Sequence, residues 1–120
     1  NLMSEDKILI VDDSRLSRMM IKGFTLATKP EWGVIEAEDG EDALAKCEGE
    51  NITWMTVDYN MPGMNGLSLC IELREKFPNA RIALLTANIQ DSVKTRSDEI
   101  GVTFIQKPVT EDKIKTYLES

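Results

Sequence analysis

At 120 residues, 42% hydrophobic and 29% charged, the chain has the length and composition of one soluble globular domain. Twenty-one acidic residues against 14 basic ones give a net charge of −7, which disfavours direct nucleic-acid binding and suits cations or basic partner surfaces. With no histidine, imidazole metal sites and Ser-His or Cys-His nucleophiles are excluded, and no apolar run approaches the roughly 18 residues of a membrane span.

The first strand is expected at Lys7-Ile8-Leu9-Ile10-Val11, a β-branched aliphatic run of the kind buried on both faces, ending in Asp12-Asp13. Leu16, Met19, Met20, Gly23, Phe24 and Ala27 then recur at helical spacing, which predicts a helix with that stripe turned inward and Pro30 closing it. A short strand over Gly33–Ala37 leads to a helix from Gly40 to Cys47, opened by Glu38 and Asp39, whose acidic first turn suits the helix dipole.

The run from Ile52 to Val57 reads as a mostly buried strand that delivers Asp58 where the chain leaves the sheet. Pro62-Gly63 forces a turn, and Asn65 caps a helix over Leu67–Phe77 with Leu69, Cys70, Leu73 and Phe77 inward. Arg81–Leu85 is another buried strand, ending at Thr86. The segment from Ile89 to Ile100 carries only Ile89, Val93 and Ile100 as an apolar stripe, which predicts the least firmly packed helix. Val102–Gln106 forms the last strand, terminating at Lys107-Pro108, and Glu111–Leu118 a final helix packed through Ile114, Tyr117 and Leu118.

Five strands alternating with five helices over short connections call for an α/β fold in one domain over residues 1–120, a parallel sheet with helices on both faces. Cys47 and Cys70 fall inside expected helices without metal-ligand spacing. They read as reduced, part-buried thiols of a cytoplasmic protein, and no signal-peptide pattern opens the chain.

In an open parallel sheet, chemistry gathers beyond the carboxyl ends of the strands. There this chain carries Asp12 and Asp13, Asp58, Thr86 and Lys107. Each has a plain reading alone: a helix cap, a turn aspartate, a strand-end threonine, a solvated lysine. Together they form one chemical set. Repelling carboxylates favour a hard cation such as Mg²⁺, the lysine and threonine suit an anion, and a carboxylate is the only plausible nucleophile. That is a Mg²⁺-assisted phosphoryl site.

Through Val11-Asp12-Asp13-Ser14, the run Val57-Asp58-Tyr59-Asn60-Met61-Pro62-Gly63-Met64-Asn65-Gly66, Leu85-Thr86-Ala87 and Lys107-Pro108, the chain resembles the receiver domain of bacterial two-component response regulators. The likeness runs from about Lys7 to Leu118. It implies a three-layer αβα, flavodoxin-like (βα)5 fold with strand order 2-1-3-4-5. It also implies that Asp58 takes a phosphoryl group from the phosphohistidine of a histidine kinase or histidine phosphotransfer protein. The side chains of Asp13 and Asp58 and the Asn60 backbone carbonyl would ligate Mg²⁺, with Asp12 holding it through water. Lys107 would pair with the phosphoryl group, Thr86 would move to hydrogen-bond it, and Phe104 would turn inward as Thr86 moves. Lys107-Pro108 would be a cis bond, and Asn60 and Asn88 would tune dephosphorylation. Phe104 carries no hydroxyl, so its switching would rest on packing.

The output face is expected on the fourth helix, last strand and last helix, displaying Lys94, Phe104 and Lys113. Two rivals are weaker. A Mg²⁺-dependent phosphatase with an aspartate nucleophile wants two aspartates one residue apart after one strand and a cap insertion, and a never-phosphorylated module loses site residues that this chain keeps. The receiver would be free-standing or the amino-terminal module of a longer regulator.

Overall fold

Five short runs form the strands β1 (Lys7–Val11), β2 (Gly33–Ala37), β3 (Trp54–Asp58), β4 (Arg81–Thr86) and β5 (Val102–Gln106). They alternate with α1 (Arg15–Thr28), α2 (Gly40–Lys46), α3 (Gly66–Lys76), α4 (Asp91–Glu99) and α5 (Glu111–Leu118) in a computed structural model that describes residues 5–87 and 90–120. Every strand pair is parallel and the order is β2-β1-β3-β4-β5, a flavodoxin-like (βα)5 sheet. Because side chains alternate along a strand, the sheet feeds two cores. Leu9, Val11, Met55, Val57, Ile82 and Leu84 pack with Ala43 of α2, Leu69, Cys70 and Leu73 of α3 and Val93 of α4. Ile8, Ile10, Ala83, Leu85 and Ile105 pack with Ile21 of α1 and Ile114, Tyr117 and Leu118 of α5. Two helices therefore cover one face and three the other.

One expectation is overturned. The stripe assigned inward on α1 faces solvent: Leu16, Met19 and Met20 are 67%, 57% and 44% exposed, Gly23 and Ala27 are exposed, and only Phe24 is half-buried. The buried positions are Ile21 and Thr25. Thr25 is tolerated inside because its hydroxyl donates to the Ile21 carbonyl at 2.8 Å. Arg18 lies on the same inward side, its guanidinium satisfied by the Asp12 carbonyl and Glu36. Counting apolar residues picked the wrong face because the inward one carries polar groups that find partners.

The remaining elements depart little. β3 starts at Trp54, two residues after the expected run, and Cys47 is the C-cap of α2. On α3 and α5 the buried residues are those anticipated, apart from a half-buried Phe77 and a buried Gly66 at the start of α3, while both cysteines are fully buried and free. α4 buries only Val93 and Ser97, the latter through a 2.8 Å hydrogen bond to the Val93 carbonyl. Ile89 lies outside the described residues. At its carboxyl end α4 is pinned to α3 by Arg74, whose guanidinium donates to the carbonyls of Ile100 and Gly101, each at 3.0 Å. Each edge strand is blunted by a lysine, as edges that avoid further pairing are. Lys46 donates to the Glu36 carbonyl on β2 at 2.7 Å, and Lys113 to the Gln106 carbonyl on β5 at 2.8 Å. Among the described residues, no helix is long and apolar enough to cross a membrane.

Candidate functional site

β1 and β3 are neighbours in register, Val11 opposite Val57, so the residues that follow leave the sheet side by side. That register brings carboxylate oxygens of Asp12, Asp13 and Asp58 within 4.8 Å of one another. Asp12 and Asp58 are 2% and 3% exposed, whereas Asp13 is open to solvent. The capping alternative for the aspartate pair does not hold. Ser14 caps α1 by accepting from the Ser17 amide, and Asp12 Oδ1 accepts from the Ser14 amide at 2.9 Å, which turns Asp12 toward the rim.

Lys107 leaves the end of β5 and sets its Nζ 2.6 Å from Asp58 Oδ1. The Lys107 amide donates to the Thr86 carbonyl at 2.9 Å, and the Lys107-Pro108 bond is cis. Thr86 is buried at the end of β4. It shares a sheet face with half-buried Phe104 on β5, whose register partner is Leu84, two residues before Thr86. Asn60 is exposed two residues beyond Asp58. Asn88 lies outside the described residues. The rim thus gathers Asp12, Asp13, Asp58 and Lys107, with Thr86 and Phe104 on the α4 side.

Two features here escaped the sequence reading. Gly66 opens α3 directly beneath Asp58: a methyl on it would overlap the Asp58 carbonyl oxygen and sit 2.7 Å from Tyr59 Cα. A glycine in the first turn after the Asn65 cap sacrifices helix propensity, and that was the available signal. Arg18 reaches back to the Asp12 carbonyl at 2.7 Å, which no spacing rule announces.

Burial raises the pKa of Asp58 above the ordinary carboxylate range. The Lys107 ammonium and the Asn60 amide oppose that rise, and the Asp13 charge adds to it. Asp12 is raised too, chiefly by burial and in part by the charges of Asp58 and Asp13, against the Ser14 amide and Lys107. Three converging carboxylates, two of them disfavoured as anions, form a hard-oxygen donor set short of positive charge. That is the chemistry Mg²⁺ fits.

The model of the response regulator receiver domain matches residues 8–119. The chemotaxis protein CheY of Bacillus subtilis is 35% identical over 109 residues, which cover 90% of each chain. The transcriptional regulatory protein ResD of the same species is 32% identical over 106 residues, 88% of this chain but 43% of ResD. This chain therefore spans most of some relatives and under half of others. Of solved structures, CheY4 of Vibrio cholerae superimposes with a TM-score of 0.85 at 27% identity, covering 97% of this chain and 98% of that one. A chain of the CheX–CheY–BeF3–Mg complex of Borrelia burgdorferi gives 0.80 at 29% identity, covering 93% and 85%.

Proposed function

The chain belongs to the response regulator receiver domain family of two-component signalling, and we propose that Asp58 is its phosphoryl acceptor. The observation that carries this reading is the rim itself, three carboxylates within 4.8 Å and Lys107 Nζ 2.6 Å from Asp58 Oδ1. Asp12, Asp13, Asp58 and the Asn60 backbone carbonyl are the groups that would hold Mg²⁺. When bound, the ion offsets the charge that carboxylates and phosphoryl oxygens bring together.

The remaining work falls to the chain. Asp58 Oδ attacks the phosphorus of a partner's phosphohistidine; the new P–O bond forms as the P–N bond breaks and the imidazole leaves. Lys107, already on Asp58, moves its ammonium onto a phosphoryl oxygen. Thr86 turns its hydroxyl to a second one, and Phe104 follows into the space on that sheet face. α4 is the element these shifts bias. Arg74 pins its carboxyl end, whereas the N-cap Gln90 makes no side-chain capping bond to the first turn of α4 at the end nearer the site.

The phosphodonor is a histidine kinase or histidine phosphotransfer protein. Exposed Leu16, Met19 and Met20 on α1 supply an apolar docking patch, and Met20 lines a cavity of about 190 Å³ with Asp12, Lys107 and Pro108. The output face is α4, β5 and α5, with Lys94 exposed on it. Lys113 is a less available contact, since its ammonium is engaged by the Gln106 and Pro108 carbonyls. Asn60 and Asn88 govern water access during dephosphorylation. The unit is a single receiver domain over residues 1–120 of a cytoplasmic regulator, catalysing only its own phosphotransfer and dephosphorylation.

The test is intact mass after incubation with Mg²⁺ and acetyl phosphate, beside Asp58→Asn. A gain of one phosphoryl group, absent with chelator and in the variant, supports the reading. Uptake that persists in Asp58→Asn places the nucleophile elsewhere.

A further inference from the structure

The two aspartates after β1 lie at a point where the backbone loses its regular partners. The Asp12 amide still donates to Ala37 on β2 at 3.1 Å. Its carbonyl lies before the first intrahelical bond of α1, which runs from the Arg18 amide to the Ser14 carbonyl at 3.0 Å. What meets the Asp12 carbonyl is Arg18, one turn into α1, with Nη1 at 2.7 Å. The Asp12 carbonyl and the Asp13 amide belong to one rigid peptide plane. Holding that oxygen therefore fixes the frame from which the exposed Asp13 carboxylate reaches toward Asp58.

The brace has its own support. Arg18 Nε donates to Glu36 Oε1 on β2 at 3.2 Å, and the arginine side chain is only 15% exposed. Glu36 Oε2 also lies 3.8 Å from Lys22 Nζ. A planar guanidinium can serve a carbonyl on one side and a carboxylate on the other, whereas a lysine ammonium is a point charge on a flexible stem.

We propose that Arg18 is a positioning residue for the cation site, setting the Asp12-Asp13 peptide so that the two rim carboxylates converge with Asp58. The inference rests on the Mg²⁺-assisted reading of the rim. Charge and geometry make opposite demands on it. As a cation close to the acidic rim, Arg18 repels Mg²⁺, so if charge alone mattered its removal would tighten binding. If its role is to position the ligands, removal weakens binding. Groups that orient metal ligands typically hold about 10- to 100-fold of affinity.

Calorimetric titration of Mg²⁺ into wild type, Arg18→Gln, Arg18→Lys and Lys22→Gln separates the two. Positioning predicts that Arg18→Gln binds about tenfold or more weakly and Arg18→Lys falls between it and wild type. Lys22→Gln, which removes a charge beside the same Glu36 without touching Asp12, is not weakened. With acetyl phosphate, the Mg²⁺ concentration for half-maximal phosphorylation rises in Arg18→Gln, while the rate at saturating Mg²⁺ returns to that of wild type. Equal or tighter binding by Arg18→Gln overturns the proposal. Should Arg18→Gln fail to fold by far-ultraviolet circular dichroism, Arg18→Lys decides, because charge alone predicts wild-type affinity for it. A wild-type chain that takes up no Mg²⁺ overturns the reading of the rim and this inference with it.

Discussion

Two glycines inside helices respond oppositely to the same substitution. At Gly23, midway along α1, an added methyl meets nothing within 4 Å. Alanine there contributes its helix propensity, about 1 kcal/mol. At Gly66, the first residue of α3, the methyl would overlap the Asp58 carbonyl oxygen and lie 2.7 Å from Tyr59 Cα and 2.8 Å from the Asp58 carbonyl carbon. All three are backbone atoms at the end of β3, so relief requires α3 or the strand end to move. Overpacking of that kind costs about 3 kcal/mol, and the propensity gain of about 1 kcal/mol leaves a net loss of about 2 kcal/mol. For a chain of 120 residues, an unfolding entropy of about 2.1 cal/mol/K per residue converts 1 kcal/mol to about 4 °C. Gly66→Ala is therefore expected to melt about 8 °C below wild type and Gly23→Ala about 4 °C above it. Urea and thermal unfolding followed by circular dichroism read both. Because the displaced carbonyl belongs to Asp58, Gly66→Ala also slows phosphoryl uptake while Gly23→Ala leaves it unchanged. A Gly66→Ala protein as stable as wild type, with normal uptake, would refute the claim that this contact positions the acceptor.

The raised pKa of Asp58, caused first by burial, means that the folded chain holds a proton the unfolded chain has released, so without a cation its contribution to stability falls as pH rises through that window. In chelator, Asp58→Asn should thus melt above wild type near neutral pH, with the gap closing on acidification toward the ordinary carboxylate range; a gap independent of pH would sink this account. Thr56 lies between Ile10 and Ala83 in the sheet, and its buried hydroxyl has no hydrogen-bond partner among the described residues. Thr56→Val should therefore raise the urea midpoint by an amount worth about 1 kcal/mol, and a lower midpoint would mean that a buried water satisfies the hydroxyl.

The strands, the alternation with helices and the inward residues of α3 and α5 were legible in the sequence, because apolar runs and helical spacing are local properties that burial then obeys. So were the rim residues Asp12, Asp13, Asp58, Thr86 and Lys107, since strand ends in a parallel sheet point to one edge. Strand order came only from the family likeness. The orientation of α1 was not legible. Its sequence holds two candidate faces: Leu16, Met19, Met20, Gly23 and Ala27, and a second one through Arg18, Ile21 and Thr25. The folded chain buries the second, where Arg18 finds acceptors on Asp12 and Glu36 that come within reach only once α1 lies against β1 and β2, while Thr25 satisfies its hydroxyl on Ile21 within the helix itself. The close approach of Gly66 to Asp58 is likewise set by where α3 docks. Periodicity sets the spacing of a stripe, but the side that faces inward depends on partners distant in the chain, and only the tertiary structure supplies them.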